Sequence, residues 1–185
     1  MIVHARPQTK PPGISQAAAE RCGLKLKSLE DFAADRKGHP NQTTQFSEEE
    51  ANSYLALSLS RKYHPSLKSL VVTFEKERMQ AVAVIDFDQL ASKSTKLLPQ
   101  LIGLLLSGTH TLTARGQVIS GGGKARFQLE QARFDDSTLP KSLVEEIISA
   151  VGKKQNPPFD PLQPSTLPYE IDHLEPNQGN IMVFQ

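Results

Sequence analysis

Tryptophan is absent from this sequence, and cysteine occurs once, as Cys22. A lone thiol excludes an internal disulfide framework, so the fold has to be held by a packed core. An excess of charge is missing too: 21 Lys and Arg stand against 20 Asp and Glu, a formal net charge of +1. With no surplus and no basic stripe interleaved with aromatics, nucleic acid is not an expected partner. Long hydrophobic runs are also lacking. The longest, "LLPQLIGLLL" at 97–106, falls well short of the roughly 20 residues that a membrane-crossing helix requires. The opening "MIVHARPQTKPPG" has basic residues but not the apolar stretch of a signal peptide. The expectation is a soluble chain, either cytosolic or the mature form of an exported one.

Catalytic signatures are as scarce. No G-x-S-x-G, H-E-x-x-H or C-x-x-C occurs, and His4, His39, His64, His110 and His173 are scattered without metal-ligand spacing. "SGGGKA" lacks the spacing of a phosphate-binding loop and lies between two predicted strands, so it reads as a turn. Asp86 and Asp88 flank Phe87 at a strand end, where a carboxylate pair could serve as acid and base or hold a metal, but no third ligand accompanies them. They read as solvated strand-end acids, and Asp135 and Asp136 as acids favouring the approach to a helix. Cys22, among small and charged residues, reads as a bystander thiol. No nucleophile, base and orienting group can be assembled, so neither catalytic residues, nor metal, nor cofactor is expected.

What is present is patterning. Residues 1–45 read as an extension: a Pro-rich arm at 1–13, one or two short helices between Ile14 and Arg36 with "SLED" (Ser28 to Asp31) as a cap, and a polar linker at 37–45. Residues 46–185 read as one α+β domain. Ser47 and Glu50 form a capping box for a helix of about 15 residues, whose apolar face carries Ala51, Tyr54, Leu55 and Leu59 and which Pro65 ends. "LKSLVVTF" and "MQAVAVIDF" alternate as a hairpin, with Leu70, Val72 and Phe74 on one side of the first strand and Ala81, Ala83, Ile85 and Phe87 on one side of the second. "THTLTARGQVI" and "KARFQLEQARF" form another hairpin about Ser120–Gly123.

"TLPKSLVEEIISAVGKK" follows at 138–154 as an amphipathic helix. Leu143, Val144, Ile147, Ile148 and Val151 make its stripe, Pro140 suits its first position, Gly152 its stop, and Lys153 and Lys154 its negative end. "YEIDHL" and "NIMVFQ" predict a last hairpin extending the sheet. The expected fold is long amphipathic helices packed on a strongly curved antiparallel sheet of about six strands.

The order of "TTQFSEEEANSYL", "VVTFEKERMQAVAVIDFD", "SGTHTLTARGQVISGGGKARFQLEQARFDDSTLPKSLVEEII" and "LPYEIDHLEPNQGNIMVF" resembles the successive blocks of the small envelope proteins of the YceB and LmeA type. These belong with the tubular lipid-binding (TULIP-like) folds. The resemblance covers residues 43–184. It implies a half tube enclosing a hydrophobic groove, in a periplasmic or otherwise exported protein that handles lipid, with an apolar small molecule or lipid as partner and peripheral contact with a membrane. "AERC" around Cys22 is not the small-residue pattern of a lipoprotein anchor, so no tether through Cys22 is expected.

Two functions compete: non-catalytic binding of a lipid or other apolar ligand between helix and sheet, and a structural or interaction module whose core is filled by its own side chains. Seven of the ten residues of "LLPQLIGLLL" are Leu or Ile, more than one helix face needs. The expected ligand-binding residues are therefore Leu101, Leu104 and Leu105, with Leu143, Ile147 and Val151 of the helix stripe. A continuous apolar cavity between helix and sheet would favour the first reading.

Overall fold

The computed structural model describes residues 13–36, 41–91, 107–135 and 137–185. In chain order they form α1 (Gln16–Ala34), β1 (Thr43–Ser47), α2 (Glu48–Tyr54), β2 (Leu67–Glu75), β3 (Arg78–Asp86), α3 (Phe87–Ala91), β4 (Thr109–Gly121), β5 (Lys124–Phe134), α4 (Lys141–Lys154), β6 (Ser165–Thr166), β7 (His173–Asn177) and β8 (Asn180–Phe184). The expected capping box between Ser47 and Glu50 starts α2. A π-type turn over Leu55–Leu59 and a 3-10 turn over Ser60–Lys62 carry the helical run to residue 62.

The fold is α+β. Its main sheet is antiparallel, ordered β2-β3-β4-β5-β6, and curls into half a barrel. The first two predicted hairpins are present in it. Lys76 and Glu77 join β2 to β3 with Glu77 at φ 61, and Gly122 and Gly123 join β4 to β5 at φ 57 and 75. The curl has a local cause at Gly116, where the β4–β5 register shifts and a Cβ would stand 2.1 Å from the Gln128 carbonyl oxygen. Only glycine lets the two backbones approach so closely, and the bulge bends the strand there.

The last hairpin does not extend this sheet, contrary to the sequence reading. β7 pairs with β8 and β8 with β1, from Thr43 opposite Phe184 to Ser47 opposite Asn180, giving a separate three-stranded sheet. The main sheet's β2 edge is already occupied. The Asn52 side chain binds both backbone groups of Val72, the Glu48 carboxylate accepts from the Phe74 amide, and the Phe74 carbonyl accepts from Gly179 N. The segment around β7 crosses the hairpin tips instead: Glu77 N donates to Pro176 O, Gly123 N to Asp172 O, and Ser120 Oγ exchanges hydrogen bonds with the Leu174 backbone. Edges closed in this way cannot template further pairing.

Two cores result. Val144, Ile147 and Ala150 of α4 pack with Phe87 and Leu90 of α3 on Ile85, Leu112, Leu129 and Phe134 of the main sheet. Cys22 and Leu29 of α1 pack on Phe46, Ile171 and Val183 at the smaller sheet. Residues 16–34 make one helix of 19 residues, capped by Ser15, whose hydroxyl accepts from Ala18 N; "SLED" lies inside it. Thr43–Gln45, within the stretch read as a linker, belongs to β1. Along α2 the most buried residues are Glu50, Asn52 and Ser53, and the apolar stripe is only half-buried. The reason is the neighbour: α2 lies beside a strand edge, whose backbone groups need polar partners.

Candidate functional site

The concave face of the main sheet and the C-terminal half of α4 enclose an apolar cavity of about 290 Å³. The strands supply Leu67, Leu70 and Val72, then Met79, Ala81, Ala83 and Ile85, then Leu112 and Ala114, and Phe127. Alternation puts Leu70 with Val72, and Ala81 and Ala83 with Ile85, on one face, as the strand pattern predicted, and the register irregularity between Leu67 and Ser69 returns Leu67 to that face. Ile148, Val151 and Gly152 roof the cavity from α4, and Gln155, Phe159 and Pro161 from the segment after it. The space exists because the floor is built small: where larger side chains would meet the helix, the strands carry Ala81, Ala83 and Ala114.

Gly152 sets the roof. It is not the helix stop expected from the sequence, since α4 runs on to Lys154 and the Gln155 amide caps onto the Gly152 carbonyl. A Cβ at Gly152 would lie 2.4 Å from the Phe159 carbonyl oxygen and 2.9 Å from Pro161 Cδ. Glycine is required because the returning chain lies directly on the helix, and Phe159 N donates to the Gly152 carbonyl at 3.2 Å.

Among the described lining residues Gln155 alone has a polar side chain, and its amide is engaged at both ends. Its Nε2 donates to the Val151 carbonyl at 2.9 Å and its Oε1 accepts from the His64 amide at 3.1 Å. Among the described residues the wall is thus almost wholly hydrocarbon, with its one side-chain amide held against the protein's own backbone. Nearby, the Tyr63 hydroxyl donates to the Leu55 carbonyl, and burial pushes its pKa up to about 12.

Of the expected site residues, Val151 lines the cavity. Ile147, completely buried, belongs to the core beneath α4, and half-buried Leu143 packs against that core. Leu101, Leu104 and Leu105 lie outside the described residues. Ile148 and the alanine floor were not singled out; the alternating alanines of "MQAVAVIDF" were the available signal.

The other chemistry-bearing groups are engaged structurally. The Asp86 carboxylate accepts from Gln89 N at 3.1 Å and pairs with Lys68, and Asp88 accepts from Gly108 N. Both tie the start of α3 to neighbouring chain. Among the described residues no group of three or more His, Cys, Asp or Glu is placed to hold a metal ion. His110 hydrogen-bonds Asp135 through Nδ1 at 2.7 Å and the Ser107 carbonyl through Nε2 at 2.8 Å, and its ring packs with Phe87 and Phe134. Both ring partners are acceptors, so this geometry suits the imidazolium. The Asp135 bond chiefly raises the His110 pKa, while the Thr111 amide, followed by His110, lowers that of Asp135.

At the α1–α2 contact, the Glu50 carboxylate is buried yet charged. Burial pushes its pKa up, but Lys25 Nζ at 2.6 Å, the Ser47 amide and Arg21 together outweigh that and lower it. Burial, with Glu50 adding to it, raises the neighbouring Cys22 thiol to about 11.

No family model matches this chain, and no curated protein or solved structure is significantly similar to it. No helix among the described residues is long and apolar enough to cross a membrane.

Proposed function

We propose that this protein binds a single hydrocarbon chain, free or as the tail of a lipid, in the cavity between α4 and the main sheet, without transforming it. The observation carrying this reading is a continuous cavity of about 290 Å³ whose one polar lining side chain is satisfied by the protein's own backbone. The volume sits at the lower end of the usual range for small-molecule sites, about 300–1,000 Å³. A methylene is close in size to a water molecule, which occupies about 30 Å³ in the liquid, so the space suits roughly ten such groups. Each methylene withdrawn from water contributes about 0.8 kcal/mol, and after the costs of association a micromolar affinity is expected. The likeness of residues 43–184 to envelope proteins that handle lipid supports the same reading, and with it an exported location.

The test is uptake of a fluorescent medium-chain fatty acid by the parent and by Ala83→Leu. Leucine at this floor position projects into the cavity, so it should weaken uptake at least about tenfold while leaving thermal stability unchanged or raised. A parent that binds no such probe, or an Ala83→Leu variant that binds it as well as the parent, would refute the proposal. The first result would favour an interaction module with a closed core.

A further inference from the structure

We infer that the surface where this cavity opens, beside Phe159, docks on an anionic lipid surface. Two segments meet there, joined by the hydrogen bond from the His64 amide to Gln155 Oε1 at 3.1 Å. His64 lies two residues beyond Lys62, and Gln155 directly follows Lys154, so the contact gathers Arg61, Lys62, Lys153 and Lys154 around one rim. Residues 57–67 and 151–159 contain no Asp or Glu. The next acid along the chain, Asp160, is turned inward, accepting from Ser149 Oγ at 2.9 Å and pairing with Lys153 at 3.4 Å. Among the described residues Arg61, Lys62 and Lys154 have no ion-pair partner, so the rim is positive although the whole chain carries almost no net charge.

Apolar side chains stand out of this basic rim. Phe159, itself a lining residue, is 51% exposed after the exposed Pro157 and Pro158, and Leu57 is 38% exposed on the other segment. Large apolar groups projecting from a ring of Lys and Arg suit the boundary of an anionic bilayer, where the rings and alkyl groups enter the acyl region and the cations meet the headgroups. An acidic protein surface would satisfy the cations but leave Phe159 and the cavity behind it without a counterpart. The choice of a lipid surface rests on the proposed cavity function, because the bilayer is the reservoir of the hydrocarbon that the cavity suits.

Sedimentation with vesicles of phosphatidylcholine alone, and of phosphatidylcholine mixed with phosphatidylglycerol, tests the docking. The parent should bind the mixed vesicles, release them at high salt, and leave the neutral ones unbound. Each basic residue near an anionic surface is worth about fivefold in partitioning, so Lys62→Glu combined with Lys154→Glu should weaken vesicle binding well over tenfold. The same double variant should take up the fluorescent fatty acid from solution as the parent does. Phe159→Ser should lower vesicle binding severalfold without changing its salt dependence. Equal binding to both vesicle types, an unaffected double variant, or loss of fatty-acid uptake along with vesicle binding would each overturn the docking face. A parent that takes up fatty acid yet binds neither vesicle would refute the docking and leave the cavity reading intact.

Discussion

The Asn52 side-chain amide pairs with Val72 as a neighbouring strand would: its Nδ2 donates to the Val72 carbonyl at 2.8 Å, and the Val72 amide donates to its Oδ1 at 2.7 Å. One buried side chain on α2 thus stands in for a missing strand at the β2 edge. Asn52→Ala strands both backbone groups away from water, and each lost pairing of a buried group costs about 1–3 kcal/mol. A loss of roughly 2–6 kcal/mol is expected, read in urea as a lower midpoint with an unchanged slope. Asn52→Leu, of similar size, should fall as far. If leucine restores the midpoint, packing rather than pairing holds this edge.

Gly116 offers a sharper case, because a Cβ there would lie 2.1 Å from backbone rather than from a yielding side chain. Gly116→Ala has to open the β4–β5 ladder, at a cost of about 3 kcal/mol, the upper end of ordinary overpacking. For a chain of this size that lowers the melting temperature by roughly 10 °C. Gly121→Ala, with nothing within 4 Å of the added carbon and no positive φ, is the control and should be nearly silent by the same measurement.

The His110–Asp135 pair predicts a pH dependence of definite sign. The folded pKa of His110 is raised, so its contribution is complete below the unfolded value of about 6.5 and is lost as pH rises through the folded one. Asp135 is lowered, so its contribution is present above the unfolded value of about 3.9 and is lost as pH falls through the folded one. Thermal stability should therefore decline in the parent as pH rises above about 6.5, and decline less in His110→Gln. Asp88 also faces this ring and raises its pKa further. Nuclear magnetic resonance titration of the imidazole gives the folded value directly; an ordinary or lowered pKa would contradict the assignment of both ring nitrogens as donors.

Cys22 reports on α1. Buried, and with its thiol raised to about 11, it should react with a disulfide reagent at pH 8 far more slowly than a free thiol does. Glu50→Gln weakens the bridges from Arg21 and Lys25 that hold α1 to α2, and should speed the reaction by increasing transient opening of the helix. Immediate reaction in the parent would mean that α1 is not seated on the smaller sheet.

Elements whose signals are local were legible in the sequence. The capping box of Ser47 and Glu50, the Gly122–Gly123 turn and the stripe of α4 each combine neighbouring residues, and each forms as its chemistry dictates. The pairing of "TTQFS" with "NIMVF" carried no such signal, because the polar strand resembles a linker until its distant partner is beside it. Gly152 was legible as a special position but misread as a stop, since the contact that requires it comes from Phe159 and Pro161 beyond the helix. Of the site, Val151 was legible from the helix stripe, while Leu101, Leu104 and Leu105 lie outside the described residues. Among the described residues the cavity is marked by a deficit, the small Ala81, Ala83 and Ala114 at positions where an ordinary core carries bulk.

The pairing of β1 with β8 also imposes an order in time. During synthesis α1 leaves the ribosome early, but Val183, against which its apolar side packs, is added some 140 residues after β1 begins. At about 5–20 residues per second, that is a wait of roughly 7 to 28 s. Through this interval the β2–β5 hairpins, which are close in sequence, can form, while Cys22 and Leu29 have Phe46 beside them but still lack Ile171 and Val183. The nascent α1 is thus open to capture by a chaperone through this interval, and its release coincides with the arrival of β8.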